Sequence, residues 1–300
     1  MTGRLLLGTL VVVALAQTVP VRLVAQAVQK AMYVSVVNEA GAPVPNLGPA
    51  DFIIREDNVA REVLRVEPAI DPMQIAVLVD NSAASRDNIP HLRQALPAFV
   101  AALTDTPGGP KNEVTIIAIG ERPTVLADYS NNRAALQKGI DRLWSLHDTG
   151  AYLLDGINEV CQGFKKREAA RPVIVALTVE QGPEFSNLQH DQVIEPLKAT
   201  GAALNTIAIG RPSSSLSSEA RERAMVLDEG TRVTGGARID ILAVESLGVR
   251  LKQLADQLTH QYKVTYARPQ TLIPPERFAV ASSKPGLTAR GTPAKDTKAK

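Results

Sequence analysis

The sequence predicts an α/β domain with a mostly parallel, six-stranded sheet and helices on both faces, plus a small β unit built from the two flanks. Three observations carry this. The continuous apolar run Ile75–Val79 and the mainly apolar runs Glu113–Ile119, Pro172–Thr178 and Ala203–Ile209 read as buried strands, the first buried on both faces as at the centre of a parallel sheet. Segments of helical period separate them, and alternation of this kind covers a sheet with helices. Towards each end of the chain the period drops to two, over Met32–Val66 and again from Tyr262.

Taken in order, residues 1–27 read as an export signal. Arg4 supplies the positive start, Leu5–Ala16 is an apolar stretch, and Ala25-Gln26-Ala27 fits a small-x-small cleavage site. The stretch falls short of the about 20 residues a spanning helix needs, so no stable membrane span is expected after processing; an uncleaved anchor is the alternative. Residues 28–70 form the N-terminal β unit. Glu39–Pro43 is a turn, and Asp57-Asn58 joins Phe52–Arg55 to Arg61–Val66 as a tight hairpin.

Residues 71–260 are the α/β domain. After Ile75–Val79, Leu92, Leu96, Phe99 and Leu103 share a helix face. Pro123–Tyr129 is short and close enough to pair antiparallel with Glu113–Ile119. Asn131–Trp144 and Tyr152–Phe164 read as helices, Gln189–Lys198 as another. The Ser-rich loop 213–218 leads through Thr234-Gly235-Gly236 to a brief sixth strand, and Leu247, Leu251, Leu254 and Leu258 close the domain as an amphipathic helix. Residues 261–291 return to strand periodicity and are expected to pack on residues 31–67, because each segment has too few strands to be stable without another layer. Residues 292–300, rich in Lys and Pro, are expected to be disordered.

Bulk composition excludes several functions. A net charge of +2, from 33 basic and 31 acidic residues, offers no electrostatic footprint for nucleic acid. Aromatic residues at 4% leave little surface for base stacking. The single cysteine, Cys161, rules out an intramolecular disulfide and shares a helix face with Leu154, Ile157 and Phe164, the pattern of a core thiol. No phosphate loop, G-x-S-x-G or helical zinc spacing occurs.

The chemistry-bearing stretch is Ile75–Ser85, an apolar strand ending abruptly in Asp80-Asn81-Ser82. Ligands bind open α/β sheets at the carboxyl ends of their strands. Asp and Ser at such a turn also cap helices, which is the plainer role. With Thr234-Gly235-Gly236 before the last strand, and with the flanks VVNEAGAPVPNLGPADFIIREDNVAREV and QYKVTYARP, the chain resembles the von Willebrand factor A (VWA) domain of the exported bacterial proteins called VWFA-related. The resemblance spans about nine tenths of the chain beyond residue 27.

That family's cation site draws on three loops. In the first, D-x-S-x-S, Asp80 and Ser82 match, Ala84 replaces the second serine, and Ser85 sits one position late. In the second, Asp155-Gly156 places Ala151 at the family's threonine, with Thr149 two residues upstream. In the third, Val179 stands for the aspartate of Thr-Asp-Gly, followed by Glu180. Magnesium sites gather several oxygens in near-octahedral geometry, so these replacements imply a site that works without a cation.

The resulting expectation is a non-catalytic, extracytoplasmic binding module, periplasmic or secreted. It recognises a protein partner through Asp80, Ser82, Ser85, Thr149 and Glu180, without a cofactor. One alternative is a Mg- or Ca-dependent adhesion module whose cation is held by Asp80, Ser82 and Glu180. The other, an enzyme, is disfavoured, because no nucleophile–base or acid–base pair stands at readable spacing.

Overall fold

The computed structural model describes residues 27–105, 108–211, 217–270, 273 and 275–295. The expected signal segment up to Gln26, most of the Ser-rich loop and residues 296–300 lie outside these.

The N-terminal flank contributes β1 (Ala27–Val37), β2 (Phe52–Glu56), β3 (Val59–Arg61) and β4 (Val63–Pro68). The central domain follows as β5 (Gln74–Val79), α1 (Ile89–Thr104), β6 (Glu113–Ala118), β7 (Thr124–Ser130), α2 (Arg133–Asp141), α3 (Leu153–Lys166) and β8 (Pro172–Val179). It continues with α4 (His190–Thr200), β9 (Ala203–Ile209), α5 (Ser218–Met225), α6 (Thr231–Thr234), β10 (Arg238–Ile241) and α7 (Leu247–Thr259). The C-terminal flank is β11 (Tyr262–Pro269), β12 (Phe278–Ser282) and β13 (Thr288–Pro293).

The central sheet has six strands in the order β10-β9-β8-β5-β6-β7, with only β7 antiparallel to its neighbour. Successive residues of a strand face opposite sides, and β5 shows the consequence. Ile75, Val77 and Val79 join the core under α1, α2 and α7, with Leu96, Phe99, Leu136 and Leu251. Ala76 and Leu78 join the core under α3 and α4, with Leu154, Ile157, Cys161 and Val193. Between β5 and β8 the chain switches sides: β5 leads to α1 on one face, and β8 to α4 on the other. Such a switch point opens a crevice at the carboxyl ends of the strands.

The flanks form two sheets, not one. A four-stranded sheet runs β13-β1-β11-β4, and a three-stranded sheet runs β12-β2-β3. Met32, Val34, Phe52, Ile54, Val264 and Tyr266 fill the core between them. The strand expected over Arg61–Val66 is divided. Val59–Arg61 pairs with β2 through the turn at Asp57 (φ 46°) and Asn58 (φ 67°), while Val63–Pro68 pairs with β11. The division comes at Glu62, whose carbonyl accepts the Ala267 N–H beside a register shift in β11. The tail expected to be disordered from residue 292 begins instead within a strand. Thr292 pairs with Tyr33, is buried, and donates its hydroxyl to Thr234 O at 2.6 Å, so tertiary pairing overrides a Lys- and Pro-rich composition.

One buried cation fastens the flanks to the central domain. Arg171, 3% exposed at the start of β8, donates to Asp71 O (2.9 Å) and Ala69 O (3.4 Å) in the entering linker. It also donates to Leu258 O (3.2 Å) and Gln261 Oε1 (2.6 Å) where the chain leaves, and its guanidinium stacks over Tyr33 at 4.7 Å. Lys263 adds an ion pair to Asp71 at 2.9 Å.

Candidate functional site

Three loops meet at the switch point: Asp80–Asn88 after β5, the segment before α3, and Glu180–Gln189 after β8. Asp80 is buried and ties the first loop to the end of β8. Its Oδ1 accepts the Ser82 N–H at 2.9 Å, and its Oδ2 accepts the Val179 N–H at 3.3 Å and the Thr178 hydroxyl at 3.5 Å. Asn81 braces more. It accepts the Gly120 N–H at 2.7 Å, donates to Trp144 O at 2.8 Å, and its carbonyl accepts the Leu146 N–H at 2.9 Å. Gly120 is required by closeness, since a Cβ there would stand 2.6 Å from the Asn81 carbonyl carbon.

The third loop is tied from two sides. Arg223 of α5, fully buried, donates to Glu180 O and Gly182 O, both at 2.9 Å. Main-chain bonds of 2.8 Å join Ala151 N to Pro183 O and Phe185 N to Ala151 O. Glu184, 2% exposed, accepts the Leu153 N–H at 3.1 Å at the start of α3 and the Ser186 N–H at 3.3 Å. Burial pushes its carboxyl up to about 7, against opposing hydrogen bonds and the Arg223 charge.

Of the five residues read from sequence, Asp80, Ser82, Ser85 and Glu180 are buried and Thr149 is half-buried. All lie at the strand-end loops. The hydroxyls of Ser82, Ser85 and Thr149 have no hydrogen-bond partner, while Glu180 pairs with Arg238 at 3.0 Å. They form the floor beneath the face. The surface above them belongs to Trp144, 61% exposed with Arg93 stacked on its ring at 4.8 Å, and to Phe185, 48% exposed and edge-on to Tyr152. Sequence reasoning missed Asn81, Glu184, Arg223 and both aromatics. The sequence offers a signal for Trp144 alone, the single Trp of a chain poor in aromatics.

The charged oxygens at this site are engaged within the protein. Asp80 Oδ1 accepts from Ser82 in its own loop, Oδ2 accepts from Thr178 and Val179 at the end of β8, and Glu180 pairs with Arg238. The third loop lies on the first so closely that a Cβ on Gly182 would stand 3.0 Å from the Ala84 methyl. Among the described residues no group of three or more His, Cys, Asp or Glu side chains stands together. Of the histidines, His190 contacts Glu222 at 2.8 Å, on the α4–α5 side of the domain.

Residues 75–181 match the family model of the von Willebrand factor type A domain. The fold is VWA-like. The structure is similar to a von Willebrand factor type A protein from Catenulispora acidiphila, at 11% identity and a TM-score of 0.50, covering 89% of this chain and 74% of that one. Proximal thread matrix protein 1 from the mussel byssus matches at 16% identity and a TM-score of 0.49, over 71% of this chain. This chain spans only 50% of the mussel protein's length. The domain of the type V pilus tip protein Mfa5 from Porphyromonas gingivalis matches at 10% identity and a TM-score of 0.46, covering 62% and 95% of the two chains. No curated protein matches the chain. A domain of this type is typically an interaction module. No helix among the described residues is long and apolar enough to cross a membrane.

Proposed function

We propose that this protein is a non-catalytic binding module that recognises a protein partner through the strand-end face of its A domain, outside the cytoplasm and without a cation. One observation carries the reading. Asp80, Asn81 and the main chain of Ala151 cross-brace the loops, and the braced loops hold Trp144 and Phe185 exposed. Large aromatics on a preorganised surface supply contact area at low entropic cost, the property of interface anchors. Asp80 then acts by positioning the loops, and the exposed His147 and Asp148, close to Trp144 in the chain, form the polar rim.

The test is cross-linked capture from the native envelope fraction, using the unaltered protein and a Trp144→Ala/Phe185→Ala variant, each with and without EDTA. A discrete protein species should be captured by the unaltered chain, lost in the variant and indifferent to EDTA. Capture retained by the variant would move the interface elsewhere. Capture abolished by EDTA would replace this reading with the cation-dependent one, which the three unpartnered hydroxyls would then explain. Export has its own check: intact mass from the native host should begin at Val28.

A further inference from the structure

A cleft of about 1530 Å³ separates the flank sheets from the A domain beside the start of β9. It shares no residue with the strand-end loops. One wall is the end of α4 together with α6, carrying Leu197, Lys198, Arg232 and Val233. The other is the open end of the flank sandwich, where Tyr266 and Phe278 supply apolar surface. Small-molecule pockets measure roughly 300–1,000 Å³, so this space is sized for a length of chain.

A strand edge runs along it, since Lys30 and Ala31 of β1 are among its lining residues. β1 pairs with β11 from Ala27 onward, but β13 covers its other edge only over Met32–Val37. That ladder ends with the Ala294 N–H bonded to Ala31 O at 2.9 Å. Antiparallel strands direct the N–H and C=O of alternate residues to one edge. Gln29 is therefore the next residue presenting both, and among the described residues no strand pairs with it there. Such an edge is a template for a further strand. The faces of that strand are set by β1. Met32 and Val34 point into the sandwich core, as Lys30 must by alternation, while Tyr33 faces Arg171 of the A domain, and Gln29 shares its side.

Charge selects what can lie there. Among the described lining residues seven side chains are basic and four acidic. Three of the acids are already engaged. Glu56 is buried between Arg61 and Arg268 and accepts the Tyr266 hydroxyl. Asp57 accepts the Glu276 and Arg277 N–H groups, and Glu229 pairs with Arg232 at 3.9 Å. The basic surplus calls for a negative occupant. Residues 296–300 of this chain, with two lysines and one aspartate, have the wrong sign. We infer that the cleft binds an extended acidic segment of another protein, which adds as a strand beside Ala27–Ala31 of β1. Main-chain bonds to Gln29 fix its register. Carboxylates on one side of the segment meet Lys198 and Arg232, and apolar side chains on the other meet Tyr266 and Phe278.

The probe is a blocked, labelled octapeptide of alternating glutamate and valine, added to the full chain. Fluorescence anisotropy should show saturable binding with a Kd below about 1 mM. Affinity should fall at least about tenfold in Lys198→Glu/Arg232→Glu, where like charges face the peptide. Both side chains are exposed on helix surfaces, so the variant should keep its fold, which circular dichroism checks. In the unaltered protein, hydrogen exchange at the Gln29 amide should slow at least about tenfold on saturation. Absence of binding, an unchanged Gln29 amide, or equal affinity in the double variant would each overturn the proposal. So would a lysine–valine octapeptide that binds as well. A variant ending at Lys295 that holds the glutamate–valine peptide more than about tenfold tighter would make the chain's own end the occupant, which also overturns it. None of these measurements involves Trp144 or Phe185, so the strand-end reading stands or falls separately.

Discussion

Replacing Arg171 with methionine keeps an aliphatic stem and deletes the guanidinium that joins the flanks to the A domain. Three bonds of 3.2 Å or less disappear, to Asp71 O, Leu258 O and Gln261 Oε1, together with the stacking on Tyr33. By substitution, a bond from a charged donor is worth roughly 1.5–3 kcal/mol, and a desolvated cation–π contact about 1–2 kcal/mol. Acting the other way, burial lowers the Arg171 pKa from 12.5 to about 10, a penalty of about 3 kcal/mol on the charged side chain that methionine does not suffer. The lost bonds win, and the expected loss of stability is about 4 kcal/mol. Urea unfolding followed by Trp144 fluorescence, the chain's only tryptophan, and by far-UV circular dichroism measures it. The two probes should separate in the variant, since the linkers at Ala69–Asp71 and Leu258–Gln261 lose their common anchor. A loss below about 1 kcal/mol with coincident transitions would refute the reasoning.

Three further outcomes are expected. Gly236→Ala should cost more than about 2 kcal/mol in thermal unfolding, because its Cβ would stand 1.8 Å from Leu204 O and backbone must move. Cys161 should resist a maleimide at pH 8 in the native protein and react fully in urea, since burial pushes its thiol up to about 11. Magnesium should leave the stability of the unaltered protein unchanged, whereas Ala84→Ser, Ala151→Thr and Val179→Asp together should create a cation-dependent gain of about 2.7 kcal/mol at 100 times the dissociation constant. Differential scanning fluorimetry with and without EDTA decides the last.

The layout of the A domain was legible because its signal is local. Ile75–Val79 is apolar at every position and Pro172–Val179 at all but Thr178, and the helix faces of Leu92–Leu103 and Leu247–Leu258 repeat at helical spacing. What stayed hidden depends on pairs far apart in sequence. Arg171 meets Gln261 ninety residues away, Glu184 meets Leu153 thirty-one away, and Arg223 meets Glu180 forty-three away. Each is a charged residue in a stretch whose pattern reads as loop or solvated helix, and burial of such a group follows only from a tertiary partner. The split of Arg61–Val66 between two sheets was hidden for a related reason. Alternation fixes which side of a strand is apolar and leaves its neighbour unspecified. The loop residues Asp80 and Ser82 were found by motif, yet the motif did not reveal that they lie beneath the surface.

The position of β1 sets the order in which the molecule can be assembled. This early strand lies between β11 and β13, two strands made more than two hundred residues later, with Met32 opposite both Val264 and Pro293. The A domain needs nothing beyond α7 to close its sheet, so it can finish while β1 still lacks both neighbours. Closing a loop of that length costs entropy before any contact rewards it. Until β11 and β13 emerge, the alternating apolar residues of β1 form an open edge of the kind that pairs with other chains. A growing chain therefore passes through a stage with a complete centre and an adhesive beginning, and that stage ends only when β13 arrives.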